Sequence, residues 1–463
     1  MNKVLSLMIV SATLIISCSE TSEPSGGFTG AENEVRLMTL NPGHFHAGLV
    51  HKYDYDQIDS NVHIYAPDGE ELESHMSLIE RFNKREVSPT HWTPHIYRGE
   101  DYLERMLEEK PGNVMIVSGN NARKIDYIHQ AVQQGINVLA DKPMVIHPDD
   151  FHLLKEAMDA ADEQGLLVND IMTERYNIAN IMQKELSKVP ELFGEIEKGS
   201  PDNPAIVKES VHFFYKTVAG EPLIRPAWFF DVTQQGEAIA DVSTHLVDQI
   251  LWQAFPEEPI DYRNSEDDVE VISSRVWSTD LTPAQFEQAT NKKEYPDYLL
   301  PNVTDDSILQ VTANGEFSFK VRGVHGRVLA GWGYENPNGG DTHYSVMRGT
   351  LANLIIKQDE EQEFTATLYV EPTDNSNKEK FESILDKALV SLSDKYPGLY
   401  AESSDYGLEI KIPDEFQEGH EDHFTRVTEQ YLDYLKNEKI QEWELTNLLT
   451  KYYITTRAYE LSR

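Results

Sequence analysis

Residues 113–148 read NVMIVSGNNARKIDYIHQAVQQGINVLADKPMVIHP, and this stretch restricts the fold more than any other part of the chain. The apolar run Val114 to Val117 meets a turn, Ser118-Gly119-Asn120-Asn121. An amphipathic helix is expected next, with Ile125, Ile128, Ala131 and Val132 spaced to bury one face. Gly135 supplies a C-cap, and a second apolar strand, Ile136 to Ala140, ends on Asp141-Lys142-Pro143. Strand–helix–strand units build parallel sheets, and open parallel sheets take ligands at the carboxyl ends of their strands. Lys142 therefore stands where chemistry is expected.

This unit resembles the fourth and fifth strands of the Gfo/Idh/MocA family, sugar and polyol oxidoreductases that use NAD or NADP. In that family the strand ends in Glu-Lys-Pro, and its lysine reaches both substrate and nicotinamide ribose. Here Asp141 shortens the acid, while Lys142 and Pro143 match. A second stretch, Gly236 to Trp252, resembles the family's Gly-(x4)-Asp-(x3)-His-Leu-x-Asp helix through Asp241 and His245. Residues four apart on a helix share a face. That spacing suits a carboxylate that orients a general-base imidazole and raises its pKa. The resemblance implies Lys142, Asp241 and His245 as the catalytic set, with Asn120, Asp141 and Lys142 beside the cofactor.

The first strand, Val35 to Leu40, opens into Asn41-Pro42-Gly43-His44-Phe45-His46, where a dinucleotide fold carries Gly-x-Gly-x-x-Gly. Only Gly43 remains. Asn41 tolerates left-handed angles, and His46, at the third position, is expected to push the helix away or reach into the phosphate site. Asn41, Gly43, His44 and His46 are thus the expected pyrophosphate contacts. Val62 to Ala66 reads as the second strand, and Asp68 just after it is the ribose-acid candidate, which favours NAD over NADP. Asp68-Gly69 is equally a turn pair. His44, His46 and nearby His51 raise a metal reading, but a His-x-His pair without a second cluster of fixed spacing does not carry it, and no metal is expected.

The first 17 residues read as a signal peptide: Lys3, then the apolar run Val4 to Ile16, too short to span a bilayer. Ile15-Ile16-Ser17-Cys18 resembles the bacterial lipobox, and Cys18 is the only cysteine in the chain. A lipid on Cys18 is expected, followed by a flexible tether over 18–33 and placement in the cell envelope, facing the periplasm or cell surface. A net charge of −39 and a pI near 4.7 argue against nucleic acid and anionic membrane surfaces as partners.

The expected fold class is α/β plus α+β. A Rossmann-like parallel-sheet domain over 34–172 precedes an open, mostly antiparallel sheet domain over 173–463, which also offers a surface for homo-oligomers. Gly165 to Tyr176 resembles the family's last first-domain strand running into an Arg-Tyr crossover helix, which makes Arg175 and Tyr176 substrate-side candidates. Strands are expected over 207–215, 269–277, 308–312, 317–321 and 328–332, and a Gly-Thr hairpin over 347–357. Trp228, among three adjacent aromatics, can stack on a sugar or fill the core. His343, after a Gly-rich turn, can face substrate or serve structure; the surroundings of His420 and His423 favour helix capping. Pro42 to His46, Gly340 to Tyr344, Gly419 to Phe424 and Trp443-Glu444 resemble a lipoprotein branch of oxidoreductases from Bacteroidota.

Three functions stay open. The first is an NAD(P)-dependent oxidoreductase acting on a sugar or sugar-derived substrate in polysaccharide catabolism. The second is an NAD-assisted enzyme that cleaves glycosides with no net redox change. The third is a cofactor-free sugar-binding lipoprotein, since a fold alone does not fix a function. Lys3 is the sole cation ahead of the apolar run, so a twin-arginine signal is absent and the chain is expected to cross the membrane unfolded. A dinucleotide would then have to be acquired outside the cytoplasm.

Overall fold

The computed structural model describes residues 27–463, apart from 219–220, 265–267, 338 and 438–439; the signal segment, Cys18 and most of the tether lie outside the described residues. The first sheet has six parallel strands, β1 (Leu37–Leu40), β2 (Asn61–Ala66), β3 (Thr93–Arg98), β4 (Val114–Val117), β5 (Asn137–Asp141) and β6 (Val168–Ile171). Their order is β3-β2-β1-β4-β5-β6. Strands β1, β4 and β5 are buried at every residue, as the continuous apolar runs require of a parallel sheet covered on both faces. The order reverses between β1 and β4. A crevice therefore opens beyond Leu40 and Val117, where such sheets bind ligands.

Strands β7 (Ile206–Phe213), β8 (Thr217–Val218), β9 (Glu221–Pro222), β10 (Val269–Leu281), β11 (Leu309–Val321) and β12 (Val324–Gly333) follow. The last five are β13 (Thr342–Arg348), β14 (Ala352–Gln358), β15 (Thr367–Pro372), β16 (Tyr400–Ser404) and β17 (Gly407–Lys411). All but β8 and β9, which pair with each other, form a second sheet in the order β10-β11-β12-β7-β13-β14-β15-β17-β16. It is antiparallel except where β7 meets β12. The expected fold class holds, with one difference. The strands expected over 308–312 and 317–321 are one continuous strand, β11. Its Asn314-Gly315 is not a turn: Asn314 Nδ2 donates to Thr279 Oγ1 at 2.8 Å. A Cβ on Gly315 would lie 2.7 Å from Ile239 Cγ1.

The helices His420–Asn437 and Glu442–Leu461 return to the first sheet after the second is complete. Phe424, Val427, Tyr431, Leu432 and Leu435 join the core of Val35, Leu37 and Ile64. Leu448 and Tyr452 pack with Met38, Met115 and Val138, while Ile454 and Ala458 of the same helix enter the second core. The last helix thus ties both sheets together.

Candidate active site

Three loops at the crevice bring the candidates together: Asn41–Phe45 after β1, Ser118–Arg123 after β4, and Lys142 directly after β5. The first two pack tightly. Gly43 N donates to Ser118 O at 3.1 Å. A Cβ on Gly119 would come within 2.7 Å of Gly43 N, so this close approach requires glycine. Asn41 takes the left-handed conformation (φ 45°) that its type tolerates.

Lys142 Nζ donates to Asp241 Oδ1 at 2.8 Å, with both side chains largely buried. This pair replaces the expected Asp241–His245 pair. Asp241 is the N-cap residue of the helix Val242–Ala254, outside its regular turns, and its carboxylate is spent on Lys142 instead of on a cap. His245 Nδ1 is buried without a partner. Its pKa is not raised. Burial, then the charges of Lys142 and His420, hold it well below the usual imidazole value. His245 is therefore neutral.

His46 corrects a second expectation. It turns to Asp141: Nδ1 lies 2.9 Å from Oδ2, and the ring packs on Phe424 at 4.5 Å. The helix it begins, His46–Leu49, is a single turn. At its start, nothing among the described residues accepts from the N–H groups of His44 and Phe45. His51 faces away, its Nδ1 3.3 Å from Ala47 O and its ring edge-on to Trp92. Asp68 follows β2, exposed, and pairs with Arg98, which also pairs with Glu73. Asn120 Nδ2 donates to Gln234 Oε1 at 2.6 Å, so it also joins the crevice loops to the second half of the chain.

The substrate-side candidates divide. Arg175 and Tyr176 are structural. Arg175 gives Nε and Nη2 to Asp248 at 2.6 and 2.7 Å and Nη1 to Glu444 at 2.8 Å, and Tyr176 Oη donates to Gln430 at 2.9 Å. Both side chains are thus engaged in contacts within the protein. Trp228 lies against the loop after β1: its Cζ2 is 3.4 Å from where a Cβ on Gly43 would be. His343, on β13, is half-buried with Nε2 unpartnered, and burial lowers its pKa to about 3. His420 begins its helix, with Nε2 3.5 Å from Thr173 Oγ1, and His423 is buried with neither ring nitrogen partnered, so the expected capping is not what they do.

The oriented imidazole that the sequence suggested at His245 exists elsewhere. On β7, His212 Nδ1 lies 2.9 Å from Asp341 Oδ2 and its Nε2 lies 3.0 Å from Ser210 Oγ. Trp332 packs against the ring at 5.1 Å, and Lys216 Nζ donates to the same Asp341 oxygen at 2.7 Å. Glu174 feels both His212 and Lys142, and burial raises its carboxyl despite them. Sequence reasoning missed this group because His212 and Asp341 are 129 residues apart. The Gly340–Tyr344 turn was a visible signal, but it drew attention to His343.

Comparison with known proteins gives the chain its relatives. Residues 182–463 match the family described as "Putative oxidoreductase C terminal domain". The chain is similar to the solved "putative oxidoreductase" from Parabacteroides merdae, at 46% identity and a TM-score of 0.91, over 94% of this chain and 99% of that one. Its fold is also similar to the WlbA dehydrogenase from Bordetella pertussis, solved with NADH and UDP-GlcNAcA (14% identity, TM-score 0.53, 94% and 96% covered). A further likeness is to KijD10, a 3-ketoreductase from Actinomadura kijaniata solved with NADP (12% identity, TM-score 0.52, 91% and 96% covered). No match was found among curated proteins. With more than half its length matched and a relative at this identity, the chain belongs to the oxidoreductase family named by that C-terminal domain.

Proposed function

We propose that the chain is an NAD(P)-dependent oxidoreductase acting on a hydroxyl of a sugar or sugar-derived substrate in polysaccharide catabolism, with NAD as its cofactor. The observation that carries this reading is Lys142, held by Asp241 at 2.8 Å at the carboxyl end of a parallel strand and in the electrostatic field of His245. The residues present fit a dinucleotide. The free N–H groups of His44 and Phe45 would receive the pyrophosphate. Asp68 would receive the ribose hydroxyls once its exposed pairing with Arg98, worth little, gives way. The dinucleotide supplies the hydride acceptor.

The remaining steps belong to the chain. The Lys142 ammonium points a positive charge at the substrate oxygen and eases loss of its proton. Neutral His245 accepts that proton. His212, oriented by Asp341, would hold a second hydroxyl from the sheet side once its contact with Ser210 Oγ gives way. Exposed Ile272 and Trp277 on β10 are the surface through which copies of the chain would pair. The full chain should be incubated with NAD and a panel of mono- and disaccharides, and the products weighed. Loss of two hydrogens with NADH formed is expected. Bond cleavage without net redox change would favour the glycoside-cleaving alternative, and neither change would favour a sugar-binding protein.

The reading includes a lipid anchor on Cys18, supported by its place after the apolar run and by the lack of any other cysteine. Metabolic labelling with a fatty-acid probe should mark the wild type and not Cys18→Ala; equal labelling of both would refute the anchor.

A further inference from the structure

We infer that His44, His46 and Asp141 form a binding site for one divalent transition-metal ion, at the loop where a dinucleotide fold carries its glycines. One ligand atom from each residue lies within 4.8 Å of the others. His46 Nδ1 is 2.9 Å and His44 Nδ1 3.8 Å from the same Asp141 oxygen, Oδ2. Two imidazoles and one carboxylate are a ligand set for zinc, iron and their neighbours, and they leave coordination positions open to other groups.

A second observation points the same way. Asp141 is only 5% exposed, and its polar neighbours are distributed unevenly. Ser118 Oγ donates to Oδ2 at 2.8 Å, His46 lies against Oδ2, and Lys124 Nζ donates to the main-chain oxygen at 2.9 Å. Oδ1 is buried with no partner. An unpartnered carboxylate oxygen in the interior is costly and rare in native proteins. A cation between the two rings, bound through both carboxylate oxygens, would satisfy it.

The site is braced as metal ligands usually are. The His46 ring is fixed against Phe424, and the His44 ring stands edge-on to it at 4.0 Å and 87°. His44 is the most accessible of the three, so the open side faces the crevice. There the His420 ring lies 5.5 Å from that of His46, and Lys142 follows Asp141 in the chain. Lys124 and Lys142 flank the single carboxylate, which favours an imidazole-preferring ion over calcium or magnesium, ions that need several acidic oxygens. Sequence spacing could not reveal this set, because Asp141 lies 95 residues beyond His46. The site does not depend on the dinucleotide reading, since its test counts metal directly.

Elemental analysis of the full chain purified without chelator should find one equivalent of a transition metal. After chelation, titration with Co²⁺ should produce visible absorption bands that saturate at one equivalent and are displaced by Zn²⁺. His44→Ala, at the most exposed ligand, and Asp141→Asn, close to isosteric, should each weaken Co²⁺ binding more than roughly 100-fold, above the 10–100-fold typical of losing a supporting outer-shell group. Thermal midpoints of both variants check that they fold. If Asp141→Asn does not fold, His44→Ala alone decides. No stoichiometric metal and no Co²⁺ bands in the wild type would overturn the inference. So would undiminished binding in a folded variant.

Discussion

Replacing His245 with alanine should lower turnover by roughly 10²–10⁴-fold, the usual worth of a positioned acid/base group, with little loss of dinucleotide binding. Lys142→Met should cost turnover similarly, since methionine keeps much of the length and none of the charge. This second change also strands Asp241, a buried carboxylate whose ion-pair partner is Lys142. A fall in stability would therefore accompany the loss of activity. The double variant Lys142→Met/Asp241→Asn separates the two effects: it should recover the thermal midpoint and remain inactive. Steady-state rates on whichever sugar the panel identifies decide the matter. Wild-type turnover in both His245→Ala and Lys142→Met would remove these residues from the mechanism.

The largest loss of stability is expected from Arg175→Ala. Arg175 sits in a buried network in which Asp248 also accepts from Lys451 at 3.0 Å and Asp170 pairs with Lys451 at 2.8 Å. Removing the guanidinium leaves Asp248 short of one cation and Glu444 with none, and breaking such a pair costs about 3–5 kcal/mol. The network joins the turn after β6 to the helices Val242–Ala254 and Glu442–Leu461, so its loss should loosen both sheets together. The pH dependence has a definite sign. Burial would raise the Asp248 carboxyl, but Arg175 and Lys451 outweigh it and hold it well below the usual range. Its stabilisation is therefore complete above the unfolded-chain value of roughly 3.9 and fades as pH falls below it. In Arg175→Ala the folded value moves up toward the unfolded one, so less stability should be lost over the same acid range. Urea unfolding at neutral and acidic pH measures both effects; an unchanged midpoint would show that the network is not what holds this seam.

The strand–helix–strand core of the first sheet was legible because its signals are local: apolar runs, a turn, one helical face and a glycine cap. Strand β3 gave no such signal. It is an edge strand with mostly exposed residues and a proline, Pro94, of the kind edges tolerate. The strands expected over 308–312 and 317–321 are one, because Asn314 bonds to Thr279 and Gly315 leaves room for Ile239 of another segment. The site divides in the same way. Lys142 at a strand end and Asp241 at a helix start were found by motif, and the structure brings them together. Their pairing was misjudged because helical spacing describes Asp241 and His245 only if both lie within the helix, and Asp241 stands just before it. Arg175 looked functional because it is charged and motif-borne, yet two carboxylates from distant helices occupy its guanidinium. His212–Asp341 and the approach of Asp141 to His44 and His46 exist only through tertiary contact.

The central claim is that the crevice beyond β1 and β4 holds a nicotinamide dinucleotide. Calorimetric titration of the full, natively purified chain with NAD and NADH, paired with mass spectrometry of any ligand released on denaturation, tests it most directly. One dinucleotide site per chain, retained or added, is expected, with weaker binding in Asp68→Ala. Absence of both released and added dinucleotide would contradict the account and leave a sugar-binding protein on an oxidoreductase scaffold.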